Sequence, residues 1–152
     1  MNEKLMNRRR LLKSGIALLS MLLIAPLRAL AAVWNSQAFA AVQIEQALQE
    51  LGVKQIATSD LITLTAPDFA ENGAIVQIEV ESHIPGTQAI AILAEKNPTS
   101  LIANFMLEPD TRPHIIIRIK LGESGLLKAV IKAGDQYFVT AKYVEVAIGG
   151  CN

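Results

Sequence analysis

Cysteine is almost absent from this chain: 152 residues contain one, Cys151. A single thiol excludes an internal disulfide, so burial and hydrogen bonding must hold the fold. Histidine is nearly as scarce, with His83 and His114 lying 31 positions apart at expected strand edges. No ligand set of metal-site spacing exists, and no metal site is expected. Aromatic residues make up 5% of the chain. Trp34, Phe39, Phe105, Tyr137, Phe138 and Tyr143 read as core or interface residues rather than a cofactor box. There is no haem motif, dinucleotide fingerprint or catalytic triad, and no cofactor is expected. Gly122-Glu123-Ser124-Gly125 lacks the lysine of a phosphate loop and reads as a hairpin connection. Asp68 and Glu71 have no nucleophile or base beside them and read as a solvated turn.

A run of apolar residues long enough to cross a bilayer is also missing. Ile16 to Ala25 is broken by Ser20, and ten residues fall short of the roughly 20 that a crossing helix needs. Arg8, Arg9 and Arg10 precede this run, and Ala29-Leu30-Ala31 follows it. A basic head, a short apolar middle and a small-residue exit make a cleaved signal peptide over residues 1–31. Ala38-Phe39-Ala40 also fits a cleavage site, but cutting there removes half of an amphipathic helix. Arg8-Arg9 followed by Leu11, Leu12 and Lys13 resembles a twin-arginine signal, with an ordinary secretory signal as the plainer reading. Either places the mature protein in the cell envelope, and the first places it in the periplasm.

Removing that segment changes the charge. Six of the 14 basic groups and one of the 14 acidic groups lie in residues 1–31, leaving a body with eight basic and thirteen acidic groups, a net −5. An acidic body with no basic cluster argues against nucleic acid and anionic membrane as partners.

Residues 32–148 read as one domain. Ser36 is placed to cap a helix, with Phe39, Val42, Leu48 and Leu51 on one side and Gly52 at its end. Short strands follow. Val76, Ile78 and Val80 alternate with Gln77, Glu79 and Glu81, the period-2 mark of a half-buried strand. Ile115, Ile117, Ile119 and Leu121 share a face opposite Arg118 and Lys120. Strands at 61–64, 76–81, 88–95, 101–107, 115–121, 126–133 and 136–148, divided by turn residues, predict a mostly β, immunoglobulin-like antiparallel sandwich with a short N-terminal helix.

Gly149 and Gly150 then carry Cys151 away from the last strand, and residues 149–152 read as a mobile C-terminal arm. Glycine removes side-chain bulk and widens the backbone conformations available. A thiol on such a tether can enter a narrow channel in another protein. No Lys, Arg or His lies close in sequence to favour the thiolate, so activation must come from the site that receives the tail. That suits a carried group better than a catalytic one.

These features together resemble the SoxY family, the sulfur-binding subunit of the bacterial thiosulfate-oxidising system. The resemblance rests on Leu64-Thr65-Ala66-Pro67 with Glu71-Asn72-Gly73, Glu95-Lys96-Asn97-Pro98, Arg118-Ile119-Lys120, Val130-Ile131-Lys132-Ala133-Gly134 and the terminal Ile148-Gly149-Gly150-Cys151, in that order. It implies a covalent carrier rather than an enzyme, with Cys151 as the attachment point. It also implies a heterodimer with a SoxZ-like β-sandwich subunit. Transient partners would be a c-type cytochrome that joins thiosulfate to the cysteine, a hydrolase that releases sulfate, and a sulfane dehydrogenase. The family tail usually ends Gly-Gly-Cys-Gly-Gly, whereas here Asn152 follows Cys151.

Two other classes fit the same residues. A structural envelope module would use Cys151 for an intermolecular disulfide. A free-standing thiol enzyme would need a general base and an oxyanion donor, neither of which the sequence places near the tail.

Overall fold

A computed structural model describes residues 35–147. The proposed signal peptide with Arg8 and Arg9, Trp34, and the terminal Gly149, Gly150 and Cys151 lie outside the described residues.

Alternation along the strands becomes two layers. In β4 (Val76–Ser82), Val76, Ile78 and Val80 are buried while Gln77, Glu79 and Glu81 are not. β4 is the centre of a three-stranded antiparallel sheet, flanked by β2 (Ile62–Thr65) and β7 (His114–Ile119). The second sheet runs in the order β1 (Ala57–Thr58), β9 (Gln136–Val146), β8 (Gly125–Ala133), β5 (Thr87–Ala94), β6 (Leu101–Met106). Ile78, Val80 and Ile119 from the small sheet share one core with Ile90, Ile92, Leu127, Ile131 and Val144 from the large one. Each such side chain contributes about 1.5–3 kcal/mol when fully buried. The sandwich expected from the strand pattern is the observed architecture.

All seven expected strands are present, and two more join them. β1 and β3 (Phe69–Ala70) are two residues each, and both pair in parallel with β9. They cover two stretches of its outer edge, whose backbone groups would otherwise invite another chain. Two residues carry no period, so nothing in the sequence marked them as strands. Asp68 and Glu71 therefore flank a β-paired segment rather than a simple solvated turn.

The connectivity also differs from the expected one. Gly122–Gly125 is not a hairpin: it carries the chain from β7 in the small sheet to β8 in the large one. The β4–β5 link also changes sheets, and hydroxyls pin it. Ser82 Oγ lies 2.8 Å from Thr87 Oγ1 and accepts from Ile84 N, while Thr87 Oγ1 donates to Ile84 O.

The single helix expected over residues 36–51 is two helices, α1 (Ser36–Ala40) and α2 (Ile44–Glu50). Asn35, not Ser36, caps the first, its side chain accepting from Ala38 N at 3.0 Å. Its amide nitrogen also donates to Glu50 O at 2.7 Å, tying the start of α1 to the end of α2. Between them Ala41 turns extended, and buried Ser100 donates to the Ala41 carbonyl from both its backbone N (2.9 Å) and its Oγ (3.2 Å). The break turns Val42 outward, leaving it 62% exposed. Gly52 ends α2 as expected. With φ +81°, it donates to Gln49 O while Val53 donates to Leu48 O, the paired bonds of a Schellman turn.

Candidate functional site at the end of the last strand

The last strand delivers the chain to one end of the sandwich, and four backbone groups there are held individually. Glu145 N donates to Asp68 O at 2.9 Å, and Ala147 N donates to Ala70 O at 2.9 Å. Between them, Val146 N donates to Ser124 Oγ at 2.9 Å, and the same hydroxyl donates to Val146 O at 3.3 Å. Ser124, from the link between sheets, thus brackets the residue before Ala147.

Close packing supports these bonds. Val146 is 8% exposed. A Cβ at Gly73 would come within 2.7 Å of Val146 Cγ1 and would also collide with the Leu121 carbonyl oxygen. Gly73 O accepts from Leu121 N at 2.8 Å, so only glycine permits this approach of two backbones. Asn72 shapes the turn, its Oδ1 accepting from Ala74 N. Further back along β9, Lys142 Nζ donates to Ala66 O and meets Asp68 Oδ1 at 2.9 Å.

A second loop system adjoins the first. Asn97 donates from Nδ2 to Lys120 O and accepts at Oδ1 from Gly122 N, both at 2.8 Å. Glu95 N donates to Leu126 O at 3.0 Å, and Leu126 N donates to Glu95 Oε2 at 3.4 Å. Of the stretches singled out in the sequence, those at 64–67 with 71–73, 95–98 and 118–120 therefore meet at the end where β9 finishes. Val130–Gly134 runs toward the other end. Ser124, Phe69 and Lys142 belong to this end and were not picked out by sequence reasoning. Ser124 sat in a segment read as a simple turn, and its partner lies 22 positions away.

The remaining polar cluster lies elsewhere, on the outer face of the small sheet. His114 Nε2 is 2.6 Å from Glu79 Oε1, and Arg112 meets Glu81 at 2.8 Å. The Arg112 hydrogen bond holds the Glu81 carboxyl below its usual value of 4.5. Among the described residues, no group of three or more His, Cys, Asp or Glu is placed to hold a metal ion. No described helix is long and apolar enough to cross a membrane.

The family model described as sulfur oxidation protein SoxY matches residues 47–151, which takes in nearly all of the described sandwich and the terminal cysteine. The chain belongs to the SoxY family. Among solved structures, it is similar to the sulfur carrier protein SoxY from Chlorobium limicola f thiosulfatophilum. That match has a TM-score of 0.64 and 31% identity, covering 74% of this chain and 99% of that one. A superoxide reductase (neelaredoxin) from Ignicoccus hospitalis matches with a TM-score of 0.51 and 19% identity over 68% of this chain and 92% of that one. That second likeness speaks to the fold alone. No curated protein sequence matched the chain. In sequence, Ile148-Gly149-Gly150-Cys151 follows directly on that fixed end.

Proposed function

We propose that this protein is a covalent carrier of sulfur intermediates, loaded on Cys151 and presented to partner enzymes in the periplasm. The observation that carries the reading is the juxtaposition of an anchored strand end with a Gly-Gly-Cys sequence in a SoxY-family chain. Bonds to Asp68, Ala70 and Ser124 hold the backbone through Ala147. The thiol-bearing position is only four residues past that anchor. At most about 14 Å of chain can therefore lie between the sandwich and the thiol-bearing residue.

Loading with thiosulfate is an oxidation. The cysteine thiol loses a proton, a sulfur–sulfur bond forms to thiosulfate, and two electrons leave to a c-type cytochrome partner. The product is a cysteine S-thiosulfonate. Water then cleaves the terminal sulfonate as sulfate at a hydrolase, leaving a persulfide on Cys151 for a sulfane dehydrogenase. The chain's own part is to bind and present the cargo, not to transform it. Gly149 and Gly150 keep the tail thin enough for a channel.

A SoxZ-like β-sandwich subunit completes the carrier as a heterodimer. Residues 1–31 are an export signal of the twin-arginine type, with Arg8 and Arg9 as its readout, which lets a folded pair leave together. Cleavage after Ala31 keeps α1, whose Ala38 is fully buried.

Intact mass of the protein from thiosulfate-grown cells, taken without reductant, tests the reading. A reductant-labile adduct of thiosulfate or sulfane sulfur is expected, and it should vanish in Cys151→Ser with the fold unchanged. Loading that persists in Cys151→Ser would sink the proposal. A covalent homodimer without adducts would favour the intermolecular disulfide instead.

A further inference from the structure

The large sheet has an outer face that its helices cover only in part. α1 and α2 lie over Ala91, Leu93, Leu101 and Val130, all 4% exposed or less. Further along β8 and β9 on the same face, Leu126 pairs directly with Tyr143. They are 37% and 59% exposed. One step toward the end of β9, Phe69 is in register with Glu145 on this face and is 51% exposed. Three large apolar side chains thus stand in water around an exposed carboxylate. Tyr143 is four residues before Ala147, so the whole patch lies within about 14 Å of the strand end.

The length of the remaining chain says what covers this patch. Cys151 is four residues past Ala147, a reach of about 14 Å. A catalytic centre enclosed in another protein must come that close to the end of β9. Even a 100-residue domain has a radius of gyration of about 13 Å, so its body must press on the surface around the root while the thiol is inside. A permanent subunit seated there would shut such an enzyme out.

Resting on the carrier reading, we propose that Phe69, Leu126 and Tyr143 form the docking surface for the enzyme that acts on the group held at Cys151. The partner that fits presents an apolar rim around the mouth of its channel, with a cationic group opposite Glu145. Apolar and aromatic side chains exposed together on one face are the usual mark of such contacts. Docking is transient, because the patch is small and the carrier must move on to the next enzyme.

The test uses the full carrier with its second subunit, loaded at Cys151 with tetrathionate. The thiolate attacks a central sulfur and the central sulfur–sulfur bond breaks. One half stays on Cys151 as the S-thiosulfonate and the other leaves as thiosulfate, with no enzyme or outside oxidant needed. Sulfate release by the purified hydrolase of the same pathway is then measured for the wild type and for Phe69→Ser/Tyr143→Ser. Loading by intact mass should be equal. KM for the loaded carrier should rise roughly tenfold or more, as expected when two interface aromatics are truncated, with kcat unchanged. Glu145→Lys should raise KM as well. A loaded peptide of residues 147–152 should serve as poorly as the double variant. A wild-type KM in the double variant overturns the proposal, as does loss of the second subunit from that variant by size exclusion. Absence of sulfate release from the loaded wild type is a different failure, removing the carrier reading and the docking surface with it.

Discussion

Two parts of the outer face of the large sheet are treated in opposite ways: one spread over β5, β6 and the adjoining middle of β8 and β9, the other where β9 ends beside β3. Over β5, β6 and the middle of β8, α1 and α2 cover Leu93, Leu101 and Val130, and Tyr137 donates from its hydroxyl to Leu51 O at 3.1 Å. Toward the end of β9, Leu126 and Tyr143 are exposed, with neither α1 nor α2 over them. Both halves alternate with the same period and carry similar residue types. Coverage, not pattern, separates the half that stabilises the fold from the half left exposed.

The largest effect should come from breaking the covered half. Leu93 is fully buried under the helices, and Leu93→Ala should cost about 2–5 kcal/mol by lost burial and a cavity. Urea unfolding would measure it. On the open half, Tyr143→Ser should cost less than about 1 kcal/mol, the span of strand propensity at a surface position. Equal losses at the two sites would erase the distinction.

Between these extremes lies the junction that holds the end of β9. Gly73→Ala places a methyl against the Leu121 carbonyl and the Val146 side chain, and overpacking of this kind should cost about 1–3 kcal/mol. Because the strain falls on Val146, hydrogen exchange at the Val146 and Ala147 amides should rise before the rest of β9 is affected. Unchanged exchange there would mean that Ser124 and Ala70 hold the strand end without help from the glycine.

The smallest effect belongs to a region outside both halves. The Arg112 hydrogen bond depresses the Glu81 carboxyl, so its stabilisation is present above the ordinary value of 4.5 and is lost as pH falls through the lower folded value. Exposed pairs contribute little. Arg112→Gln should therefore lower the melting temperature only slightly at neutral pH, and the two proteins should converge in acid. A gap that persists below the carboxylate range would assign Arg112 some role other than pairing with Glu81.

Much of the sandwich was legible because strand periodicity is local. Val76, Ile78 and Val80 announce their face within five residues, and Ile115 to Leu121 do so within seven. The missed features are those whose cause lies far along the chain. The helix breaks at Ala41 because Ser100, 59 positions away, takes its carbonyl. β1 and β3 exist only because β9 is there to pair with them. The Gly122–Gly125 segment looked like a hairpin because glycines mark a turn without saying which sheet the next strand joins.

The candidate site divides along the same line. Sequence alone determined that a lone thiol follows two glycines just past the last strand. It also supplied the strand alternation and the ordered stretches shared with the SoxY family, all of which are written in neighbouring residues. Tertiary structure decided that the stretches at 64–73, 95–98 and 118–120 converge where β9 ends. It also decided that Ser124 and Gly73 hold that end, and that Phe69, Leu126 and Tyr143 share an uncovered face beside it. Those facts depend on which strands pair and in what register. Register is set by the summed packing of two whole sheets, and no window of sequence contains it.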